Sequence, residues 1–176
     1  MLAKNAMNAW ERRFLAANRW ALIALLGAMA LIVFANVALR YLTDQSIEWA
    51  EEVARHLMIW LTFLGAGPVL RYGGHIAVDT LQDGVPRPVA LILRLLVAAL
   101  LLGFFGFMIW YGTLYALRSQ FQTTAATQIS FAYVYAAMPI GGVLLVAHWL
   151  LVVRGFLRER AFAADAHFDA TASASL

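Results

Sequence analysis

Cysteine is absent from the 176-residue sequence, which excludes disulfides, thiolate metal sites and cysteine nucleophiles. Charged residues are scarce: Asp, Glu, Lys and Arg together make up 13% of the chain, whereas an average soluble domain has about 25%. The sequence also lacks the nucleophile-elbow, zinc-protease, phosphate-loop and dinucleotide-binding motifs. These absences exclude thiol chemistry and indicate that the chain is not an enzyme of those common classes.

Hydrophobic residues make up 63% of the chain. A small domain buries only about two-thirds of the surface of its unfolded chain, so lipid must cover part of this apolar surface. Four apolar runs cover residues 20–39, 53–72, 95–117 and 129–153. At about 1.5 Å per helical residue, each run can cross a hydrocarbon core of about 30 Å, and the first is too long for a signal-peptide core of about 7–15 residues. The sequence therefore predicts an all-α integral membrane protein, with four transmembrane helices in one domain.

The basic residues predict the orientation of these helices. Nine of the thirteen lie before the first run, between the second and third, or after the fourth, and Arg71 lies at the end of the second run on the same side; the other three are Arg40, Arg55 and Arg118. Because Lys and Arg concentrate in cytoplasmic segments, both termini are predicted to be cytoplasmic. The net charge of +3 reflects this distribution and does not indicate a nucleic-acid-binding surface.

Three segments lie outside the spans on the predicted cytoplasmic side. Residues 1–19 carry apolar side chains at helical spacing, with basic residues elsewhere, which predicts either a short amphipathic helix on the inner leaflet or a frayed basic tail. The connection between the second and third runs carries His75 and Asp79, which share one face of a predicted short helix. Residues 154–176 are first basic and then small and polar, which predicts a disordered tail.

A cluster of charged residues lies at the outer end of the second run. Glu48, Glu51, Glu52 and Arg55 fall within about 100° of arc on a helix. One interpretation is an acidic first turn that complements the helix dipole. The other interpretation is a polar clamp that holds Arg40 or a partner protein. The three carboxylates carry more negative charge than Arg55 alone can neutralise. The excess of negative charge favours the clamp.

A transport pathway within the chain would need ionisable or strongly polar groups near the middle of the membrane, or broken helices whose ends face an ion. The central turns contain only Asn36, Thr62 and Thr113 as polar residues. The Gly/Pro segments at 65–68 and 138–142 lie at different depths and have no adjacent carboxylate or amide, so they predict kinks and close helix contacts. The sequence therefore predicts a membrane-embedded scaffold.

The histidines do not favour a haem or metal site. Bis-histidine ligation of haem in a four-helix bundle needs two histidines that face each other at similar depth. His56 and His148 differ in depth by about 24 Å when each residue rises 1.5 Å. His75 and His167 lie outside the spans, and we expect no cofactor or metal.

The order of the short motifs resembles a known transporter subunit. The motifs are LRY at 39–41, IEWAEEVARHLMIWLTFLGAG at 47–67, GGHIAVD at 73–79, VPRP at 85–88 and YVYAAMPIGG at 133–142. Together they resemble the small membrane subunit, called DctQ, of tripartite ATP-independent periplasmic (TRAP) transporters. The resemblance covers about residues 37–142, with all four spans in register.

This resemblance implies a secondary transporter of three parts in a bacterial inner membrane. A periplasmic binding protein would capture an organic anion, typically a carboxylate, and a large membrane subunit would carry it inward with sodium. The small subunit would pack against the large one as a stationary scaffold. Its expected interface or structural residues are Arg40, Glu48, Trp49, Glu51, Glu52, Arg55, Trp60, Arg71, His75, Asp79, Pro139, Gly141 and Gly142.

Two alternative functions belong to other classes. A self-sufficient four-helix exporter that works as a homodimer would need a membrane-embedded acid, usually in its first span, and residues 20–39 contain none. A cytochrome-like electron carrier would show a haem absorption band after purification. The sequence favours the transporter subunit over both.

Overall fold

The computed structural model describes residues 9–71 and 86–159. Five helices form this part of the chain: α1 (Ala9–Thr43), α2 (Ala50–Arg71), α3 (Arg87–Arg118), the short α4 (Phe131–Tyr135) and α5 (Ala137–Glu159). Within the described ranges, four segments are long and apolar enough to cross a membrane, and the fourth of them joins α4 to α5. The predicted all-α architecture with four spans is therefore confirmed.

The first helix extends well beyond the predicted span. At about 1.5 Å per residue, the 35 residues of α1 exceed the thickness of the hydrocarbon core, so the helix either projects into the interface or tilts. Residues 9–19 are the beginning of α1 and not a separate amphipathic helix, because no Gly or Pro before Gly27 interrupts the helical residues. The rest of the predicted N-terminal helix, residues 1–8, lies outside the described residues.

Two other predictions concern segments outside the described residues. The connection at 72–85 contains His75 and Asp79, and the tail at 160–176 contains the segment predicted to be disordered. Arg154 and Arg158, which open the tail region, lie in a helix, because α5 continues to Glu159.

The fourth apolar run is divided into two helices at Ala136. Pro139 has no N–H to donate to the carbonyl of Tyr135, four residues earlier, and its ring disfavours the regular helical path there. The helical hydrogen bonds resume on either side, where the Ala136 amide donates to Ala132 and the Ile140 amide donates to Ala136. This interruption agrees with the kink predicted at Pro139.

The long helices pack as an open row in the order α1–α2–α5–α3. No substantial packing joins α1 to α3 in the described part of the chain. The hydrophobic core lies between α2, α3 and α5 and contains Leu70, Phe105, Leu145, Trp149 and Phe156. A row of this kind has no central space enclosed by four helices, and its outer helices present large apolar side chains to their surroundings.

The two ends of the row carry different segments of the chain. The loop end carries the connections 44–49 and 119–130, and the terminal end carries Ala9, Arg71, Arg87 and Glu159. The sites described below lie at these two ends and at the helix crossings between them.

Candidate functional site

At the loop end, the Glu52 carboxylate holds the connection between α3 and α4. It accepts hydrogen bonds from the backbone amides of Ala126, at 2.8 Å, and Thr127, at 3.0 Å. The Thr127 hydroxyl also donates to the same carboxylate. Hydrogen bonds to a charged acceptor are among the stronger ones, so Glu52 fixes the first turn of α2 to a loop more than seventy residues away.

The loop that Glu52 holds is ordered by its own hydrogen bonds. The Thr124 amide donates to the Ile129 carbonyl at 2.9 Å, and the Phe131 amide donates to the Gln122 carbonyl at 2.9 Å. Ser130 accepts from the Ala132 amide and so begins α4, as N-terminal serines commonly do. The connection therefore forms a compact cap that positions α4 and α5.

Glu52, one acid of the predicted clamp, thus holds the loop at Ala126 and Thr127 of its own chain and not Arg40. A contact between the rest of the acidic cluster and a partner protein stays a prediction. Arg40 is exposed, with its guanidinium 5.6 Å from the centroid of the Tyr41 ring, and none of the ion pairs within 9–71 and 86–159 joins it to the acidic cluster.

The other predicted residues of this region are not brought together. Glu48, Trp49, Glu51 and Arg55 are exposed, and Trp60 is half-buried one turn and a half beyond Arg55. Asn36 provides a second fixed point that the sequence prediction had not assigned, because its side-chain oxygen accepts from the Ile47 amide at 2.6 Å. This bond ties the connection between α1 and α2 back onto α1.

We expect Glu52→Ala to loosen the connection between α3 and α4. Loss of the carboxylate removes the acceptor for two amides and one hydroxyl, so hydrogen exchange at Ala126 and Thr127 should accelerate by at least about tenfold. Hydrogen-exchange mass spectrometry of peptides from residues 119–130 measures this. The matched control is Glu51→Ala, which removes an exposed acid from the same turn. Equal exchange in the two variants would contradict the role assigned to Glu52.

At the terminal end, Arg71 forms an ion pair with Glu11. The Arg71 side chain is 5% exposed and the Glu11 side chain 17% exposed, so the pair is largely removed from solvent. It joins the first turn of α1 to the last turn of α2. Nearby, Arg94 of α3 donates to the Leu157 carbonyl of α5 at 3.2 Å, which ties the other two helices of the row together.

A buried polar contact lies deeper in the terminal half. The Asn18 amide nitrogen donates to the Leu64 carbonyl at 3.3 Å and lies 3.2 Å from Nε2 of His148. Asn18 is 7% exposed and His148 is fully buried. Phe14 packs on the His148 ring with centroids 4.9 Å apart, and a Cβ at Gly67 would collide with that ring. Asn18 and His148 thereby connect α1, α2 and α5.

Sequence reasoning missed this contact for an identifiable reason. Asn18 precedes the first apolar run, which begins at residue 20, and His148 was considered only as a haem ligand. The signal that could have found the pair is the continuous helical pattern from Ala9 onward, which places Asn18 within the same helix as the span. A small residue at Gly67 was the further indication that a bulky group approaches α2 there.

We expect Asn18→Leu to destabilise the protein by about 1–2 kcal/mol, since the substitution leaves His148 and the Leu64 carbonyl without this donor. Thermal unfolding in detergent, followed by circular dichroism, measures the loss. Thr62→Val is the control, because the Thr62 hydroxyl donates only to Met58 of its own helix, at 2.9 Å. A loss for Asn18→Leu no larger than that of the control would contradict a role in joining the three helices.

Between the two ends, glycines allow the closest approaches of α5 to its neighbours. A Cβ at Gly141 would lie 2.7 Å from Phe63 Cβ and 2.9 Å from the Phe63 carbonyl oxygen of α2. A Cβ at Gly142 would lie 2.8 Å from Ile109 of α3, and one at Gly112 would lie 2.9 Å from Pro139. The MPIGG segment is therefore the place where α5 fits between α2 and α3.

Other glycines have no such neighbours. A Cβ at Gly103 or Gly106 would meet no atom of the described residues within 4 Å, and the same is true of Gly27. Gly103 and Gly106 therefore do not mark close contacts among the described helices, because α3 turns these positions away from α5.

The polar groups of the spans are mostly used by the helices themselves. Thr62 donates to Met58, and Thr113 donates to Ile109 at 2.7 Å. Among residues 9–71 and 86–159, no three His, Asp or Glu side chains come together as metal ligands would. The polar contacts that do fix one helix to another are those of Arg71 with Glu11, Asn18 with His148 and Arg94 with Leu157.

Comparison with known proteins identifies related sequences. Residues 29–159 match the family model described as tripartite ATP-independent periplasmic transporters, DctQ component. A putative TRAP transporter small permease protein of Haemophilus influenzae is 41% identical over 64 residues, which are 36% of this chain and 40% of that protein. The sialic acid TRAP transporter small permease protein SiaQ of Vibrio cholerae is 25% identical over 124 residues, which are 70% of this chain and 72% of that protein.

A third relative is much longer than this chain. The isethionate TRAP transporter permease protein DctMQ of Oleidesulfovibrio alaskensis is 25% identical over 152 residues, which are 85% of this chain but only 24% of that protein. The aligned region is therefore a minor part of a larger permease in that organism.

Proposed function

Because the chain belongs to the DctQ component family of the TRAP transporters, we propose that it is the small scaffold subunit of a sodium-coupled importer of an organic anion. In this role it packs against a large membrane subunit that carries the substrate, and a periplasmic binding protein delivers that substrate. The family assignment makes the chain a transporter component and not an enzyme. Beyond the family assignment, we propose the partner, the substrate class and the coupling ion.

The observation that carries the scaffold role is the open row of helices. Since α1 and α3 do not pack substantially against each other in the described chain, the row does not surround a path for a solute. The core between α2, α3 and α5 is filled by side chains such as Trp149 and Phe156. A row of helices that exposes many large apolar side chains is suited to support a neighbouring membrane protein.

The long relative supports the choice of a large membrane subunit as partner. In the isethionate permease, a region similar to most of this chain is joined covalently to a much longer polypeptide. Two parts of one permease that are linked in one organism are expected to associate when they are separate chains. We therefore propose that this chain binds a subunit equivalent to the remaining part.

The names of two relatives support an organic anion as substrate. Sialic acid carries a carboxylate and isethionate a sulfonate, and these are the substrates named for the relatives from Vibrio cholerae and Oleidesulfovibrio alaskensis. We propose a carboxylate for this system, and sodium as the coupling ion follows from the family resemblance. The substrate and ion sites lie on the partners in this proposal.

The membrane location and orientation belong to the same proposal. Four spans and the family place the chain as a multi-pass protein of a bacterial inner membrane. The uneven distribution of basic residues supports a cytoplasmic terminal end and a periplasmic loop end. Exposed Glu48, Trp49 and Glu51 would then face the periplasm, where they would be available to a partner protein.

The self-sufficient exporter is the alternative, and Glu11 bears on it. This acid lies in the first turn of α1, outside the predicted span. It is paired with Arg71 of α2. The Glu11 carboxylate is thus occupied in joining α1 to α2 and is not available to a cationic solute. The subunit proposal therefore explains the role of Glu11 better than the exporter does.

Co-purification tests the proposed partner. The chain, with an affinity tag, is co-expressed with the untagged large membrane subunit of the same transport system and extracted in mild detergent. We expect the large subunit to co-purify in a constant ratio, and we expect an unrelated membrane protein expressed at the same level to be absent. Recovery of the tagged chain alone, or as a homodimer without the large subunit, would contradict the proposal and favour the exporter.

A further inference from the structure

An apolar groove of about 630 Å³ lies between α1 and α2 in the half of the row near the loop end. Its walls include Met29, Val33 and Val37 of α1, and Ala54 and Met58 of α2. From Met29 to Val37 the groove extends along about 12 Å of α1, at 1.5 Å per residue. It is open to the surroundings of the helices, where lipid lies in a membrane protein.

One cation, Arg55, also lines this groove. Arg55 lies five residues after Ala50, the first residue of α2, which corresponds to about 7.5 Å along the helix axis. An arginine at this depth extends its guanidinium towards the headgroup level while its methylenes stay in the apolar layer. The groove is therefore apolar along its length and cationic at the end nearest the loops.

The chain itself does not satisfy this cation within residues 9–71 and 86–159. Arg55 is exposed, and no described carboxylate pairs with it. Glu52, which is three residues earlier, directs its oxygens to the amides of Ala126 and Thr127. The described residues therefore leave the five N–H groups of the guanidinium available to an acceptor of another molecule.

We infer that this groove binds a phospholipid of the leaflet at the loop end, with the phosphate on Arg55 and an acyl chain along the wall formed by Met29, Val33 and Met58. A phosphate accepts two hydrogen bonds from a guanidinium in parallel, and methionines adapt well to a flexible apolar chain. The site binds a lipid irrespective of the proposed transport function, since every group involved belongs to α1 and α2.

Glu51 adds a preference among headgroups. It lies four residues before Arg55 and so shares the same face of α2, one turn nearer the loops. Its exposed carboxylate repels a second negative charge and attracts an ammonium. The site therefore prefers phosphatidylethanolamine, whose ammonium follows its phosphate, to phosphatidylglycerol.

The test measures lipid retention by the full-length chain. The purified, delipidated protein is titrated with dioleoylphosphatidylethanolamine, dioleoylphosphatidylglycerol or dioleoylglycerol, and bound lipid is counted by native mass spectrometry. We expect the phosphatidylethanolamine to bind at least about tenfold more tightly than dioleoylglycerol, which has the same chains but no phosphate. We also expect Arg55→Gln to abolish this difference, and Glu51→Gln to abolish the preference over phosphatidylglycerol.

Two further variants separate the site from general binding to the protein surface. Arg40→Gln removes another exposed cation at the loop end and should retain the wild-type preference. Ala30→Phe places a ring in the groove at an exposed position and should reduce binding of all three lipids, while the circular dichroism spectrum stays unchanged.

Equal lipid binding by Arg55→Gln and Arg40→Gln would overturn the inference, as would equal binding of phosphatidylethanolamine and dioleoylglycerol to the wild type. If Arg55→Gln leaves lipid retention intact but reduces co-purification of the large subunit, the groove holds a protein helix and the lipid assignment is wrong. That last result would leave the proposed transport function standing, so the two failures are distinguishable.

Discussion

Replacement of Arg71 by methionine is expected to lower the free energy of unfolding by about 3–5 kcal/mol, because removal of one partner leaves the other charge buried without compensation. The side chain of Glu11 is only 17% exposed in the ion pair, so water replaces the lost guanidinium poorly. Unfolding of the purified protein in detergent, monitored by circular dichroism, gives the change.

Two controls separate the ion pair from the general loss of an arginine. Arg118→Met removes an exposed arginine from the last turn of α3 and should change the stability by less than about 1 kcal/mol. The double variant Glu11→Leu with Arg71→Met removes both charges and should recover part of the loss. A double variant that is less stable than Arg71→Met would contradict the assignment of the loss to an unpaired Glu11.

The second large effect is expected at Gly141. In Gly141→Ala the new Cβ meets the backbone of Phe63, with its carbonyl oxygen at 2.9 Å, so α5 must move away from α2. Overpacking of this kind costs about 1–3 kcal/mol. For a chain of this size the melting temperature falls by about 2–4 °C for each kcal/mol, and thermal unfolding measures the fall.

Gly103→Ala is the matched control for Gly141→Ala. The added methyl group at Gly103 meets no atom within 4 Å in the described part of the chain, and alanine is favoured over glycine in a helix by up to about 1 kcal/mol. This variant should therefore unfold at the wild-type temperature or slightly above it. Equal losses of stability in the two variants would contradict the claim that the close crossing of α2 and α5 requires a glycine at position 141.

The sequence predicts the spans well because their physical cause is local. Each apolar run is long enough to cross the bilayer, and runs of this length have few other structures available. The break before Pro139 is also local, since proline removes a donor from its own helix. Composition and spacing are sufficient for these features.

The contacts between helices depend on positions far apart in the chain and could not be predicted in the same way. The sequence suggests that Glu52 holds something, but its partners at Ala126 and Thr127 are known only once α2 and the loop are placed side by side. Gly103 and Gly141 look alike as small residues in apolar runs, yet only Gly141 faces another helix. Helix packing decides between them, and single-sequence patterns do not contain it.

Transport by reconstituted components tests the central claim most directly. Liposomes are prepared with this chain alone, with the large subunit alone, and with both. Each preparation receives the periplasmic binding protein, the radiolabelled carboxylate that this protein binds, and an inward sodium gradient. The account predicts uptake only when both membrane subunits are present, and none with this chain alone. Sodium-driven uptake by this chain without the large subunit would contradict the scaffold role.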